Sequence, residues 1–177
     1  MPRVIASIEA RMGSSRFPGK AMADICGQPA LTRLVRRLRQ CDSLDGVILA
    51  TSLASSDDVL EEWAGVEGLD VYRGSENDVL LRVVEAQRKM KSDVVVEVTG
   101  DSVLLDPGVI DLGVKMYLEN DCDVVSNTWK GSFPMGVDIQ VYPFHLLEEV
   151  EYTVYDPPIR EHVSLYFYEH PERYRII

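Results

Sequence analysis

Short apolar runs alternate with amphipathic stretches over roughly the first 126 residues, and that alternation limits the architectures open to the chain. Residues 4–8 are an apolar run of the length expected for a strand buried on both faces. Residues 46–52 repeat the type, 70–73 give a shorter strand, and 93–99 are dense in β-branched side chains. Helical spacing fills the gaps. Over 29–41, Leu31, Leu34, Val35 and Leu38 form an apolar stripe, ringed by Arg33, Arg36, Arg37 and Arg39 as a solvated face with buried stems. A helix is expected over 57–64 behind a Ser55 or Ser56 cap. The clearest helix is 78–91, and Pro107 opens another that runs to about residue 120. Repeated strand–helix units pack as a mainly parallel sheet with helices on both faces, an α/β fold.

The later part is less regular. Residues 122–126 and 138–142 read as strands, 131–135 as a loop, and 146–152 and 160–168 as helices. The last residues, Arg175, Ile176 and Ile177, look like a strand, where a polar cap or closing helix would be normal. One domain over 1–177 is therefore expected, either truncated at the C-terminus or unusually short.

Ligands of such sheets bind beyond the carboxyl ends of the strands. The first strand runs into a loop, residues 9–20, that holds two glycines, two serines, a proline and the cations Arg11, Arg16 and Lys20. Glycines let backbone N–H groups turn toward an anion, and the cations supply counter-charge, so the loop reads as a polyphosphate site. It stands out because Lys plus Arg number 18 against 29 Asp plus Glu, a formal charge of -11. That balance argues against a nucleic-acid partner. Gly13 and Gly19 alone do not make a dinucleotide fingerprint. A nucleotide-binding P-loop reading meets an extra residue between them and loses its metal ligand at Ala21, which has no hydroxyl for magnesium.

The cysteines, Cys26, Cys41 and Cys122, form no CxxC pair and read as reduced, buried thiols. The N-terminus lacks signal-peptide architecture and no apolar run is long enough to span a bilayer. A cytoplasmic location with no membrane partner is expected.

Ala10 to Lys20, read Ala-Arg-Met-Gly-Ser-Ser-Arg-Phe-Pro-Gly-Lys, resembles the signature of sugar cytidylyltransferases. The nearest branches are those of spore-coat polysaccharide biosynthesis and of acylneuraminate and 3-deoxy-manno-octulosonate activation. The resemblance continues through Ala50-Thr51-Ser52, the 73–80 stretch, Thr99-Gly100-Asp101, Leu105-Asp106-Pro107, Val125-Ser126-Asn127, Gly136-Val137-Asp138 and Arg160-Glu161-His162-Val163. It implies a nucleotide-diphospho-sugar transferase-like, Rossmann-like fold: a mixed, mainly parallel sheet flanked by helices, with one reversed strand. It also implies transfer of CMP from CTP to a sugar acceptor, with release of pyrophosphate.

By position, the resemblance implies that Arg11, Arg16, Lys20 and Asp101 are catalytic. Ala10, Arg11, Gly13, Ser14, Arg16 and Lys20 would wrap the triphosphate, with Thr51, Arg73, Asn77 and Asp78 around the nucleotide. Asp78 could equally cap the helix behind it. Asp101 and Asp138 are paired as ligands of Mg2+ (or Mn2+), an ion that takes a few carboxylate oxygens beside phosphate oxygens and water. Each also has a plain reading, Asp101 as a turn residue and Asp138 as a strand start. Asn127, Arg160, Glu161 and His162 would face the acceptor, where an arginine suits a sugar carboxylate or phosphate. The plain alternative is a helix-surface ion pair with a partly buried histidine. A homodimer with 129–155 as contact surface is implied as well.

Several positions depart from the family pattern. Glu9 stands where glutamine is common, Ser102-Val103-Leu104 where Pro-Leu is usual in the last two places, and the usual closing segment is missing. Two other readings stay open. A nucleotide-sugar glycosyltransferase would need an Asp-x-Asp-like motif after a mid-chain strand, and Asp121-Cys122-Asp123 precedes its strand instead. A non-catalytic CTP-binding module would bind CTP without turnover.

Overall fold

The computed structural model describes residues 1–14, 17–131 and 133–177. Six strands among these form one sheet: β1 (Val4–Glu9), β2 (Gly46–Ser52), β3 (Asp70–Gly74), β4 (Val94–Thr99), β5 (Val125–Ser126) and β6 (Gln140–Pro143). Their spatial order is β3-β2-β1-β4-β6-β5. Strands β1 to β4 are parallel, and β6 runs against both β4 and β5. The sheet is therefore mixed and mainly parallel, with one reversed strand.

The sheet has a core on each face. Alternate residues of β1 point to opposite sides. Val4, Ala6 and Ile8 pack with α1 (Ala30–Leu38), α2 (Asp58–Glu67) and α4 (Pro107–Glu119) through Leu31, Leu34, Leu60, Ile110 and Val114. Ile5 joins Ile48 and Val95 on the other face, under α3 (Val79–Met90), α5 (Phe144–Thr153), α6 (Pro157–Glu161) and α7 (Leu165–Glu169). Burying each of the larger side chains contributes about 1.5–3 kcal/mol, so the central strands anchor the sheet. The arginines of α1 do more than meet solvent: Arg33 donates to the carbonyls of Ile25 and Cys26, and Arg37 to that of Leu105.

Local chemistry explains most helix ends. Asp78 caps α3 by accepting from the Leu81 N–H at 2.9 Å, and Asp106 caps α4 by accepting from the Gly108 N–H at 2.8 Å. Gly68, with φ 64°, ends α2 in the left-handed conformation. Neither Ser55 nor Ser56 caps α2. Residues Ser55–Asp57 form a 3-10 turn, and Asp57 turns inward instead.

One further expectation changes, and the strand-like reading of 175–177 holds. The helix read over 160–168 is two short helices, α6 and α7, separated at His162, whose ψ of 92° leaves the helical region. Ile159, Val163 and Phe167 are all buried at four-residue spacing, so the apolar pattern survives the break and hides it. The 175–177 segment extends the sheet edge: Ile176 bridges Val124 in parallel, and the Ser126 N–H donates to the Ile177 carbonyl at 2.9 Å.

Candidate active site

A cavity of about 320 Å³ opens where β1 and β4 end. It is lined by Glu9, Ala10, Arg11, Ser14, Lys20, Ala21, Val79, Arg82, Thr99, Gly100, Asp101, Glu161 and His162. The two strand ends meet closely: the Gly100 N–H donates to the Glu9 carbonyl at 2.9 Å. A Cβ on Gly100 would lie 2.8 Å from Ala10 Cβ and 2.9 Å from that carbonyl oxygen, so only glycine fits.

The loop after β1 folds back on itself. The N–H groups of Ser14 and Gly19 both donate to the Met12 carbonyl at 2.9 Å, and Gly19 takes a φ of 74°. Asp57 fixes where the loop starts. Its carboxylate, 1% exposed, accepts from the Met12 N–H at 2.7 Å and from the Ser52 hydroxyl at 2.5 Å. It also accepts from the Ser52 N–H and the Thr51 hydroxyl, each at 3.3 Å. Arg11 reaches the Glu76 carbonyl at 3.5 Å, tying the loop to the β3–α3 turn.

Lys20 and Asp101 meet across the cavity, Nζ to Oδ2 at 2.5 Å. Burial pushes the Asp101 carboxyl up, but the Lys20 hydrogen bond, a Thr99 hydrogen bond and the Lys20 charge outweigh it and hold the group below its ordinary value. Asp138 lies at the same end of the sheet. The β4–β6 pairing runs from Val94 opposite Pro143 to Glu97 opposite Gln140, and Asp138 precedes β6 and is not among the residues that line the cavity. Asn127 braces that segment, donating to the Val137 carbonyl at 2.8 Å and accepting from the Ile139 N–H at 2.9 Å, on either side of Asp138.

Two carboxylates are hard oxygen donors that suit magnesium or manganese. No group of three or more His, Cys, Asp or Glu among the described residues is arranged to hold a metal. A divalent ion here would complete its shell with phosphate oxygens and water, as magnesium commonly does.

The inner wall is a buried polar layer on the α3 side. Arg82 is 2% exposed and donates to the carbonyls of Ala50, Ser75 and Glu76. Burial lowers its pKa, partly offset by the charge of Glu9. Behind the wall, Glu97 accepts from the Tyr142 hydroxyl at 2.7 Å.

The cavity thus gathers Ala10, Arg11, Ser14, Lys20, Asp101, Glu161 and His162 from the residues singled out in the sequence, with Gly13 in the same loop. Arg16 lies outside the described residues. The others sit elsewhere, each for a physical reason. Thr51 is fully buried and its hydroxyl is held by Asp57. Arg73 is drawn to the first turn of α2, with 2.7 Å contacts to both Asp58 and Glu61. Asn77 is exposed in the β3–α3 turn and does not line the cavity. Asp78 caps α3 and binds Arg160 at 2.5 Å. Arg160 also donates to the carbonyls of Glu151 and Val154, so its guanidinium joins α3, α5 and α6 and does not face the cavity. Asn127 spends its amide on the backbone around Asp138.

Three residues of the site escaped the sequence reading of roles: Asp57, Glu9 and Arg82. Asp57 sits in Ser55-Ser56-Asp57-Asp58, which reads as a helix start. Glu9 carried two signals, a carboxyl at the end of an otherwise apolar strand and its place where glutamine is common in the family it resembles. Arg82 falls on a polar position of an amphipathic helix and carried none.

Comparison with known proteins agrees with this geometry. Residues 5–176 match the family described as Cytidylyltransferase. The spore coat polysaccharide biosynthesis protein SpsF of Bacillus subtilis is 33% identical over 181 residues, covering 99% of this chain and 74% of that protein. The 3-deoxy-manno-octulosonate cytidylyltransferase of Trichlorobacter lovleyi is 31% identical over 121 residues, covering 67% of this chain and 46% of that one. Among solved structures, a cytidylyltransferase from Leptospira borgpetersenii superposes with a TM-score of 0.95 at 32% identity, covering 99% of this chain and 75% of that one. A phosphate-type loop, a cation–acid pair across one cavity and a match over nearly the whole chain converge: the protein belongs to the cytidylyltransferase family.

Proposed function

We propose that the chain binds CTP with Mg2+ or Mn2+ in the cavity at the ends of β1 and β4 and transfers CMP to a sugar acid. The observation that carries this reading is the Lys20–Asp101 pair inside a cavity walled by the glycine loop. A triphosphate–metal complex offers each member of that pair a partner of opposite sign, the phosphates for Lys20 and the ion for Asp101.

The triphosphate lies along the loop, with Arg11, Arg16 and Lys20 on its outer oxygens. A hydroxyl of the acceptor attacks the α-phosphorus in line and releases its proton to solvent. The new phosphorus–oxygen bond forms as the bond to the bridging oxygen breaks, and pyrophosphate leaves against the cations, which offset its developing charge. Asp101 and Asp138 would hold the divalent ion, which would supply charge neutralisation at the phosphates. Glu161 and His162 border the cavity on the acceptor side, positioned by Arg160 behind them. Catalysis here is positioning and charge balance.

A sugar acid is favoured by the activities named for the relatives. The three cysteines, unpaired among the described residues, fit a reducing cytoplasm. No helix among the described residues is long and apolar enough to cross a membrane. A homodimer is expected to use 129–155, where Met135, Tyr152 and Tyr155 are 95%, 79% and 81% exposed.

The test is pyrophosphate release from CTP and Mg2+ with a panel of sugar acids. Turnover is expected with at least one acid, and Asp101→Ala should abolish it while leaving the thermal transition in place. Metal-dependent turnover at the wild-type rate in that variant removes Asp101 from the mechanism.

A further inference from the structure

The inner wall of the cavity holds a charge set that the transfer reaction does not use. The β1–β4 register pairs Ser7 with Glu97 and Glu9 with Thr99, so both glutamates point to the α3 face. Glu97 is buried and well supplied with donors, Tyr142 at 2.7 Å and Ser164 at 3.5 Å. Glu9 lines the cavity, and its Oε1 is buried without a hydrogen-bond partner. The buried cation of this layer is Arg82, whose guanidinium is committed to backbone carbonyls.

Glu9 and Glu97 are diagonal neighbours on that face, Arg82 faces Glu9, and an uncompensated buried charge is expensive, so the two carboxyls are best held with one proton between them. Hydroxyl donors favour the charged form of a carboxyl. Glu97 has two such donors and Glu9 Oε1 has none, so the charge settles on Glu97 and the proton on Glu9. The carboxylic acid O–H of Glu9 is then on offer at the cavity wall.

We propose that Glu9 meets the nucleotide as a neutral hydrogen-bond donor, making it a specificity-determining residue for a ligand atom that carries a free lone pair. The inference rests on the cavity being the nucleotide site. An ionised Glu9 would instead set a negative charge beside a triphosphate. The electrostatics agree. Burial first, then the charge of Glu97, push Glu9 well above the ordinary carboxylate range, against Arg82. Burial pushes Glu97 up to about 7, against Tyr142 and Ser164. The other charged or titratable groups facing Glu9 are Arg11 and Lys20 from the loop, Asp101 after β4, Tyr142 on β6, and Glu161 and His162 at α6. The two glutamates titrate as a unit. Loss of the Glu9 proton removes the donor, so nucleotide affinity falls as pH rises through that titration.

The test needs no acceptor. CTP dissociation constants with Mg2+ are measured for wild type, Glu9→Gln and Glu9→Ala, and the carboxyl carbons of the free proteins are titrated by 13C NMR. Glu9→Gln, a permanent neutral donor of the same shape, should bind CTP like wild type at neutral pH, and Glu9→Ala roughly 10-fold more weakly. Wild type, but not Glu9→Gln, should lose affinity as pH is raised through the titration read by NMR. The ionisation of CTP itself is shared and cancels in the ratio. The proposal is overturned if NMR finds Glu9 ionised at neutral pH, if Glu9→Gln binds no better than Glu9→Ala, or if wild type and Glu9→Gln weaken in parallel. Absence of CTP binding by wild type at every pH would remove the nucleotide site itself. If the variants do not fold, the wild-type NMR titration decides alone.

Discussion

Replacing Asp57 by alanine should loosen the glycine loop after β1 and weaken the whole fold. Its carboxylate accepts two short hydrogen bonds, from the Met12 N–H at 2.7 Å and the Ser52 hydroxyl at 2.5 Å, and two longer ones at 3.3 Å. Hydrogen bonds to charged groups contribute about 1.5–3 kcal/mol each, and buried donors left unpaired cost a similar amount. The contacts share one acceptor group and do not add, so a total of about 3–4 kcal/mol is expected. For a chain of this size that is a fall in Tm of roughly 10 °C. CTP binding should weaken as well, because Met12 starts the segment that carries Ser14 and Lys20 into the cavity. Calorimetry of thermal unfolding and titration of CTP into the protein read the two effects separately. Asp57→Asn, which keeps one acceptor oxygen, should fall between wild type and alanine. An alanine variant that melts and binds CTP like wild type would refute the assignment of Asp57 as the anchor of the loop.

Lys20→Ala should weaken CTP more than CMP, because the lost contact is to the outer phosphates. Equal losses for both nucleotides in the same titration would contradict that placement. Glu97 makes stability pH-dependent: its pKa rises from an unfolded value of about 4.3 to about 7 in the fold. Folding therefore favours the protonated acid, so stability is full below the unfolded value, declines as pH climbs through about 7, and levels off above it. Tm measured across that range should fall for wild type and stay flatter for Glu97→Gln. Identical slopes would show that Glu97 does not titrate in the folded protein.

The elements were legible where burial alone decides them. β1, β2 and β4 are central strands with apolar side chains on both faces, and such runs have few alternatives. α3 showed itself through its stripe and its Asp78 cap. The break between α6 and α7 was not legible, because Ile159, Val163 and Phe167 keep helical spacing across it. The glycine loop and Asp101 could be placed because strand ends converge in this architecture. Arg73 and Arg160 could not, because a charged side chain near a site goes to the nearest buried or half-buried partner, and sequence spacing does not reveal it. Arg160 illustrates this: its partner Asp78 lies 82 residues away in the chain. Asn127 shows the same limit for an amide, which serves the backbone beside Asp138.

The most direct test is a crystal structure with CTP and Mn2+, whose anomalous scattering locates the ion. The triphosphate is expected along the loop against Arg11 and Lys20, the ion on Asp101 and Asp138, and the Lys20–Asp101 contact parted between them. Nucleotide bound elsewhere, or bound here with that contact intact and no ion on Asp101, would contradict this arrangement.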